Sequence, residues 1–391
     1  MVKKIFVFAI VCFSFLFLST TLGYSASYSS LSVKDICKFT GNKLINMGLS
    51  DFATENGQIF MLVRDKEKRT RDLQWVLFDP LAKKVLKSGD CPFKLENDIV
   101  AVSPNGKYAA VFSRVPTVLW LLDTESGKWD NIMENPKVNE PGLTIIRKAR
   151  VLNSFGSSYL RFVDNSTVAT CLQDLDKDKN MKDIVPVLVN VDKKKIERST
   201  SFSEILASAS KVLEAKGEGS KCAIDDIFPV ANNYVIFSIR NDKHSYVMRM
   251  GEDKVAHIVY TFPVRFINFC DVAFGNIVCR ISLGEDKTKD SITVIKEDGT
   301  IEVLAKENGN YGFALANNAF LVSSIRAKLP LVELINANSK HFSVAHQEEP
   351  SIIYVDRNVT TVYFVNNNGI KCFNVKDKMK AKEVKKDKVK K

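Results

Sequence analysis

Cysteine and histidine are scarce in this 391-residue chain, at eight and four residues. No two cysteines stand in a CxxC arrangement, which argues against a structural zinc site and a thioredoxin-like redox centre. The histidines, His244, His257, His341 and His346, include no pair one helical turn apart, so no histidine metal site is expected. GxSxG, P-loop, HExxH and GxGxxG signatures are absent as well, and no reaction can be named from the sequence. Long helical periods are also missing, with one exception described below.

Only one apolar run is long. It spans Ile5 to Leu18 behind Lys3 and Lys4 and is followed by small and polar residues up to Ser27. As a helix it would rise about 21 Å, short of the ~30 Å hydrocarbon core of a bilayer, so it reads as a secretory signal peptide rather than a permanent anchor. Cleavage is expected after Ser27 or Ser25, with the segment 1–27 removed and the chain exported to the periplasm or secreted. Val11 is too large for the position before a lipidated Cys12. Loss of Cys12 leaves an odd number of cysteines, hence at least one unpaired or intermolecular thiol.

Charge of one sign is lacking in the body. The formal net charge is +11, but residues 376–391 hold nine lysines against Asp377, Glu383 and Asp387, and Lys3 and Lys4 lie in the signal segment, which leaves only +3 for the rest. A nearly balanced body on an exported chain excludes a nucleic-acid partner on electrostatic grounds. The tail 376–391 has no aromatic residue or glycine and reads as a solvated extension. It serves solubility or attraction to an anionic membrane or cell-wall surface.

What is present is repetition. Seven times an apolar strand runs into a polar turn and out into a second strand, at Asp79–Lys84, Asp123–Lys128, Asp192–Lys195, Glu252–Lys254, Glu297–Thr300, Asn336–Lys340 and Lys376–Lys378. Most spacings are about 40 to 46 residues, the length of a four-stranded propeller blade. The expected fold is therefore all-β, a seven-bladed β-propeller over 28–375, with six or eight blades as alternatives. VDNSTVAT (Val163 to Thr170) and VDRNVTTV (Val355 to Val362) look like one inner turn used in blades three and seven.

The clearest repeat runs from Asn97 to Trp129. Ile99, Ala101 and Ser103 alternate into Pro104, Asn105 and Gly106, where proline presets φ and Asn and Gly tolerate positive φ. Two apolar strands follow, Tyr108 to Ser113 and Val118 to Leu122. This stretch resembles the WD40-like repeat of TolB-type propellers, with Asn105 where an Asp usually stands. The resemblance implies a propeller and no particular function.

The helical exception is Ser201 to Gly217. Ser201 and Glu204 form a capping box, Phe202, Ile205, Leu206, Ala209, Val212 and Leu213 share one face, and Gly217 supplies the stop. An inserted helix over about 201–216, packed on the propeller side, is predicted. Closing the ring needs a partner for the last blade, and Leu31 to Phe39 is expected to supply its outer strand. That would set Cys37 beside the strand of Cys372, a candidate disulfide, while Cys270 and Cys279 on adjacent strands are a second.

The sharpest local motif is DLDKDKNMKD. Asp174, Asp176, Asp178, Asn180 and Asp183 offer several oxygen ligands in one loop, as Ca²⁺ requires. The loop resembles those of EF-hands and integrin-type propellers, but Lys179 replaces the turn glycine and Val185 the bidentate Glu. Ca²⁺ is thus the one candidate cofactor, against a solvated acidic hairpin loop. Arg161, Asp164, Asp225, Asp226, Arg265, Asp271 and Asp356 are inner-strand polar candidates, and Trp75 and Trp120 are expected to pack between blades. The functional expectation is a monomeric binding or scaffold module with a protein or envelope partner. The alternative is a propeller enzyme acting on saccharide or lactone.

Overall fold

The computed structural model describes residues 28–32, 43–46, 53–65, 72–94, 99–114, 117–133, 143–145, 160–176, 181–219, 221–230, 234–263 and, from 266 on, the strands named below. The expected signal peptide 1–27 and lysine-rich tail 376–391 lie outside the described residues.

The described strands form seven antiparallel sheets, five of them running through their strands in chain order. The first comprises Lys43–Asn46, Ile59–Asp65, Asp72–Asp79 and Lys84–Lys94, and the second Ile99–Val102, Tyr108–Arg114, Thr117–Asp123 and Lys128–Asn131. The third comprises Leu143–Ile145, Thr167–Leu175, Met181–Asn190 and Lys195–Arg198, with Leu160–Phe162 also pairing Thr167–Leu175. The fourth has Ala223–Val230, Tyr234–Arg240, Ser245–Met250 and Ala256–Phe262, and the fifth Phe266–Ala273, Asn276–Ser282, Asp290–Ile295 and Ile301–Lys306. The sixth has Phe313–Ala316, Ala319–Arg326, Leu329–Asn336 and His341–His346. Ile352–Val355, Thr361–Asn366 and Gly369–Asn374 make most of the seventh.

The seventh sheet takes its fourth strand from the other end of the chain. Tyr28–Ser32 pairs antiparallel with Gly369–Asn374. The closing strand is thus supplied by the N-terminal segment, but it begins three residues before the expected Leu31. This register sets Ser29 opposite Cys372. Cys372 is a buried free thiol, not half of a bridge to Cys37, and burial pushes its pKa up to about 12. Cys270 and Cys279 do stand opposite each other in the fifth sheet, while their side chains lie outside the described residues.

Successive side chains of a strand point to opposite faces, and here each face meets a different neighbour. Ile59, Met61 and Val63 pack with Tyr363, Ile370 and Cys372 of the seventh sheet, whereas Phe60 and Leu62 pack with Val100, Val102 and Val111 of the second. Phe112, Leu119 and Leu121 meet Phe162, Val168 and Val187 of the third. Burial on both faces is why these strands read as continuous apolar runs rather than alternating ones. Trp75 stacks on Phe60 with ring centroids 6.1 Å apart, and Phe93 sits between Trp120 and Trp129, so the tryptophans pack between sheets as expected.

The inner turns are linked from sheet to sheet. In the second, Asn105 Oδ1 accepts from the Ser103 hydroxyl and the Lys107 N–H, so an amide does the work of the expected aspartate. Gly106 takes φ +74°, and a Cβ there would lie 3.1 Å from Thr54 Cγ2, so both conformation and space call for glycine. Glu55 N–H donates to Pro104 O, and Asn105 N–H donates to Asn165 Oδ1 of the third sheet.

The helix α1 (Phe202–Ala215) follows the third sheet. Ser201 and Glu204 form the expected capping box, and Gly217 at φ +73° ends the helix with Glu218 N–H donating to Leu213 O. Ile205, Ala209 and Leu213 are buried against Cys171 and Ile184 of the third sheet and Ile224, Ile239 and Tyr246 of the fourth, which confirms that the apolar face packs inward. Among the described residues, no helix is long and apolar enough to cross a membrane.

Candidate functional site

The third sheet, the start of α1 and the turn closing the fourth sheet's outer hairpin line a polar cavity of about 680 Å³ that is open to solvent. Three chain segments build it. Asp174 and Asp183 face each other across the hairpin Thr167–Leu175/Met181–Asn190. Arg198 to Glu204 run from the end of the outer strand into the helix, and Gly251 to Lys254 come from the fourth sheet.

Charges on this wall are held by protein partners. Arg198 Nη1 lies 3.7 Å from Asp174 Oδ2. Asp183 accepts from the Ser203 N–H and hydroxyl and from Ile184 N–H, which places a carboxylate where the helix dipole is positive. Glu204 accepts from Ser201 N–H at 3.0 Å and stands 3.6 Å from Lys254 Nζ. The Ser201 N–H and the Lys254 charge hold the Glu204 carboxyl below its ordinary range. Ser208 completes the join, its hydroxyl donating to Lys254 O and accepting from Ala256 N–H.

The acidic loop therefore contributes Asp174 and Asp183 to the cavity, each with other duties. Asp176 is described and exposed, whereas Asp178 and Asn180 lie outside the described residues. Among the described residues, no group of three or more His, Cys, Asp or Glu side chains could hold one metal ion.

The other polar candidates part company. Asp164 forms a turn, accepting from Ser166 N–H. Asp225 sits at a bulge of the fourth sheet's inner strand, 3.1 Å from Arg240 Nε, and burial pushes its carboxyl up to about 6 against the pull of Arg240. Arg161 is half-buried on an inner strand. The side chains of Asp226, Arg265, Asp271 and Asp356 lie outside the described residues, as do those of His341 and His346, which occupy an outer strand as expected. His257 Nε2 is 2.9 Å from Asp253 Oδ2. His244 Nδ1 is 3.1 Å from Glu218 Oε2 and holds that carboxyl low, tying the chain after α1 to the turn of the fourth sheet.

Sequence reasoning missed Arg198, Ser199 and Thr200. They follow the outer strand directly and lie just before the capping box, in the only connection between sheets that carries a described helix. An insertion between repeats is the signal that could have drawn attention to them.

The succession of antiparallel sheets, the last completed from the opposite end of the chain, with apolar side chains filling the described faces between the seventh and first, first and second, second and third, and third and fourth sheets, is the arrangement of a propeller. The fold is a β-propeller. No family model matches the chain, and no curated protein matches it either. Solved structures do. Pyrococcus horikoshii acylaminoacyl peptidase superposes with a TM-score of 0.52 at 9% identity, covering 87% of this chain and 52% of that one. The Cps50 (Swd1) β-propeller domain of Myceliophteria thermophila gives 0.44 at 11%, covering 85% and 99%, and TolB from Acinetobacter baumannii 0.41 at 12%, covering 77% and 65%. At such identities the likeness speaks for the propeller fold alone.

Proposed function

We propose that this propeller is an exported binding or scaffold module of the cell envelope, engaging a protein or another envelope component. The observation that carries this reading is the side cavity at α1, where an insertion departs from the repeat and gathers polar groups from three chain segments around about 680 Å³, within the size range of ligand sites. Export is supported by the Lys3, Lys4 and Ile5–Leu18 pattern. The lysine-rich tail adds attraction to an anionic surface, at ~1 kcal/mol per lysine near a charged membrane.

The test is recovery of partners by the mature protein from its native envelope. A stoichiometric envelope partner is the expected result. Recovery of abundant contaminants alone, together with turnover of a small substrate by the purified protein, would overturn the scaffold reading in favour of an enzyme.

A further inference from the structure

The inner turn that the third and seventh sheets have in common carries the same short motif in both copies. Asn165-Ser166-Thr167 is an Asn-X-Ser/Thr triplet, the acceptor pattern for attaching a saccharide to an asparagine amide on an exported chain. The chain holds two such triplets, and the other is Asn358-Val359-Thr360. Both fall in the repeated VDNSTVAT and VDRNVTTV segments, at the entry to the strands Thr167–Leu175 and Thr361–Asn366. Asn358 lies outside the described residues, whereas Asn165 is described.

The structure presents Asn165 as an acceptor has to be presented. Asp164 and Asn165 are exposed on the turn. The backbone behind them is fixed: Ser166 N–H donates to Asp164 Oδ1, Val163 N–H to Thr167 O, and Val191 N–H to Ser166 O. Asn165 Oδ1 accepts from Asn105 N–H of the second sheet at 3.0 Å. That bond engages the amide oxygen, which glycosylation leaves as a carbonyl acceptor, while the new bond forms at Nδ2. The ring and a saccharide thus draw on different atoms of one side chain, and attachment leaves the link between the two sheets in place.

We propose that Asn165 is an N-glycosylation site of this protein. The donor is a saccharide carried on a lipid diphosphate. The bond from Nδ2 to the sugar C1 forms, and the bond from C1 to the diphosphate oxygen breaks. Its electron pair leaves on that oxygen, and one amide proton passes to a base of the transferase. Thr167 supplies the hydroxyl that the transferase reads two positions after the acceptor. The proposal rests on the reading of the chain as exported, because the transfer takes place on chains that cross a membrane.

The experiment isolates the full protein from its native cells and maps its tryptic peptides by mass spectrometry, recording the N-terminal residue in the same run. Expected are a start after Ser25 or Ser27 and a saccharide at Asn165 on peptide 162–177, with the second triplet read separately on peptide 358–371. Thr167→Val should abolish the modification and Thr167→Ser retain it, although both leave Asn165 and its bond from Asn105 untouched. A chain that keeps residues 1–27 and carries a bare Asn165 would overturn the export reading together with this proposal. A cut chain with a bare Asn165, a saccharide on the Ser166 or Thr167 oxygen instead, or full modification in Thr167→Val would overturn the proposal alone.

Discussion

The inner turn of the second sheet and the connection leading into α1 solve the same task, turning the chain between strands, in opposite ways. At Ser103 to Lys107 the side-chain oxygens close on the turn itself: Asn105 serves Ser103 and Lys107, Ser103 serves Tyr108, and Thr124 donates to Gly106 O. At Arg198 to Glu204 the caps bind the helix, yet the Ser199 hydroxyl is left buried without a partner. The inner turn of the second sheet uses its side-chain oxygens locally, whereas the connection into α1 uses its polar groups to tie the third sheet, the helix and the fourth sheet together.

The strongest way to break this contrast is to damage the repeat. Phe162→Ala removes a fully buried ring between the second and third sheets and should cost about 3–5 kcal/mol in denaturant unfolding. A loss below 1 kcal/mol would show that this interface does not hold the ring.

Next in size is Asp225, an inner-strand carboxylate that burial disturbs. The folded-state pKa of Asp225 is raised from 3.8 to about 6, so its contribution to stability is fully present below the unfolded value and is lost as pH rises through about 6. Replacing it with Asn removes that dependence. Wild type should lose about 3 kcal/mol relative to Asp225→Asn between about pH 4 and about pH 7, and parallel stability curves would contradict the burial argument.

Smaller effects sharpen the comparison at the helix. Ser201→Ala removes the N-cap and should cost about 1 kcal/mol, with faster hydrogen exchange in α1 while the amides of the second sheet keep their protection. Gly217→Ala meets nothing within 4 Å, so its expected loss of about 1 kcal/mol comes from positive φ alone. Equal exchange rates in both regions would mean that α1 and the ring open as one unit.

Much of the fold could be read from local chemistry. The strands Tyr108–Arg114 and Thr117–Asp123 were visible as apolar runs between polar turns, and α1 was visible with both caps because Ser201, Glu204 and Gly217 act within a few residues of one another. The closing strand was legible in kind and misplaced by three residues, because Ser29 and Ser30 carry no apolar mark and pairing with Lys371 and Cys372 is a long-range fact. The cavity was not legible. Its wall joins Asp174, Arg198 and Lys254, which no periodicity relates, and the duties of Asp174 and Asp183 as partners of Arg198 and Ser203 depend on how two sheets and a helix meet.

The pairing of Tyr28–Ser32 with Gly369–Asn374 also sets an order of events in folding. The earliest described segment waits for nearly the latest one before its backbone donors and acceptors are matched. Until then the seventh sheet presents an open edge that another chain could pair with. Sheets earlier in the chain can form from neighbouring strands as they appear, whereas the ring as a whole becomes cooperative only at that final long-range contact. Stability measured on a circularly permuted chain, with its ends moved to the Leu81 turn, would therefore differ from the native chain most in the rate of folding rather than in its final value.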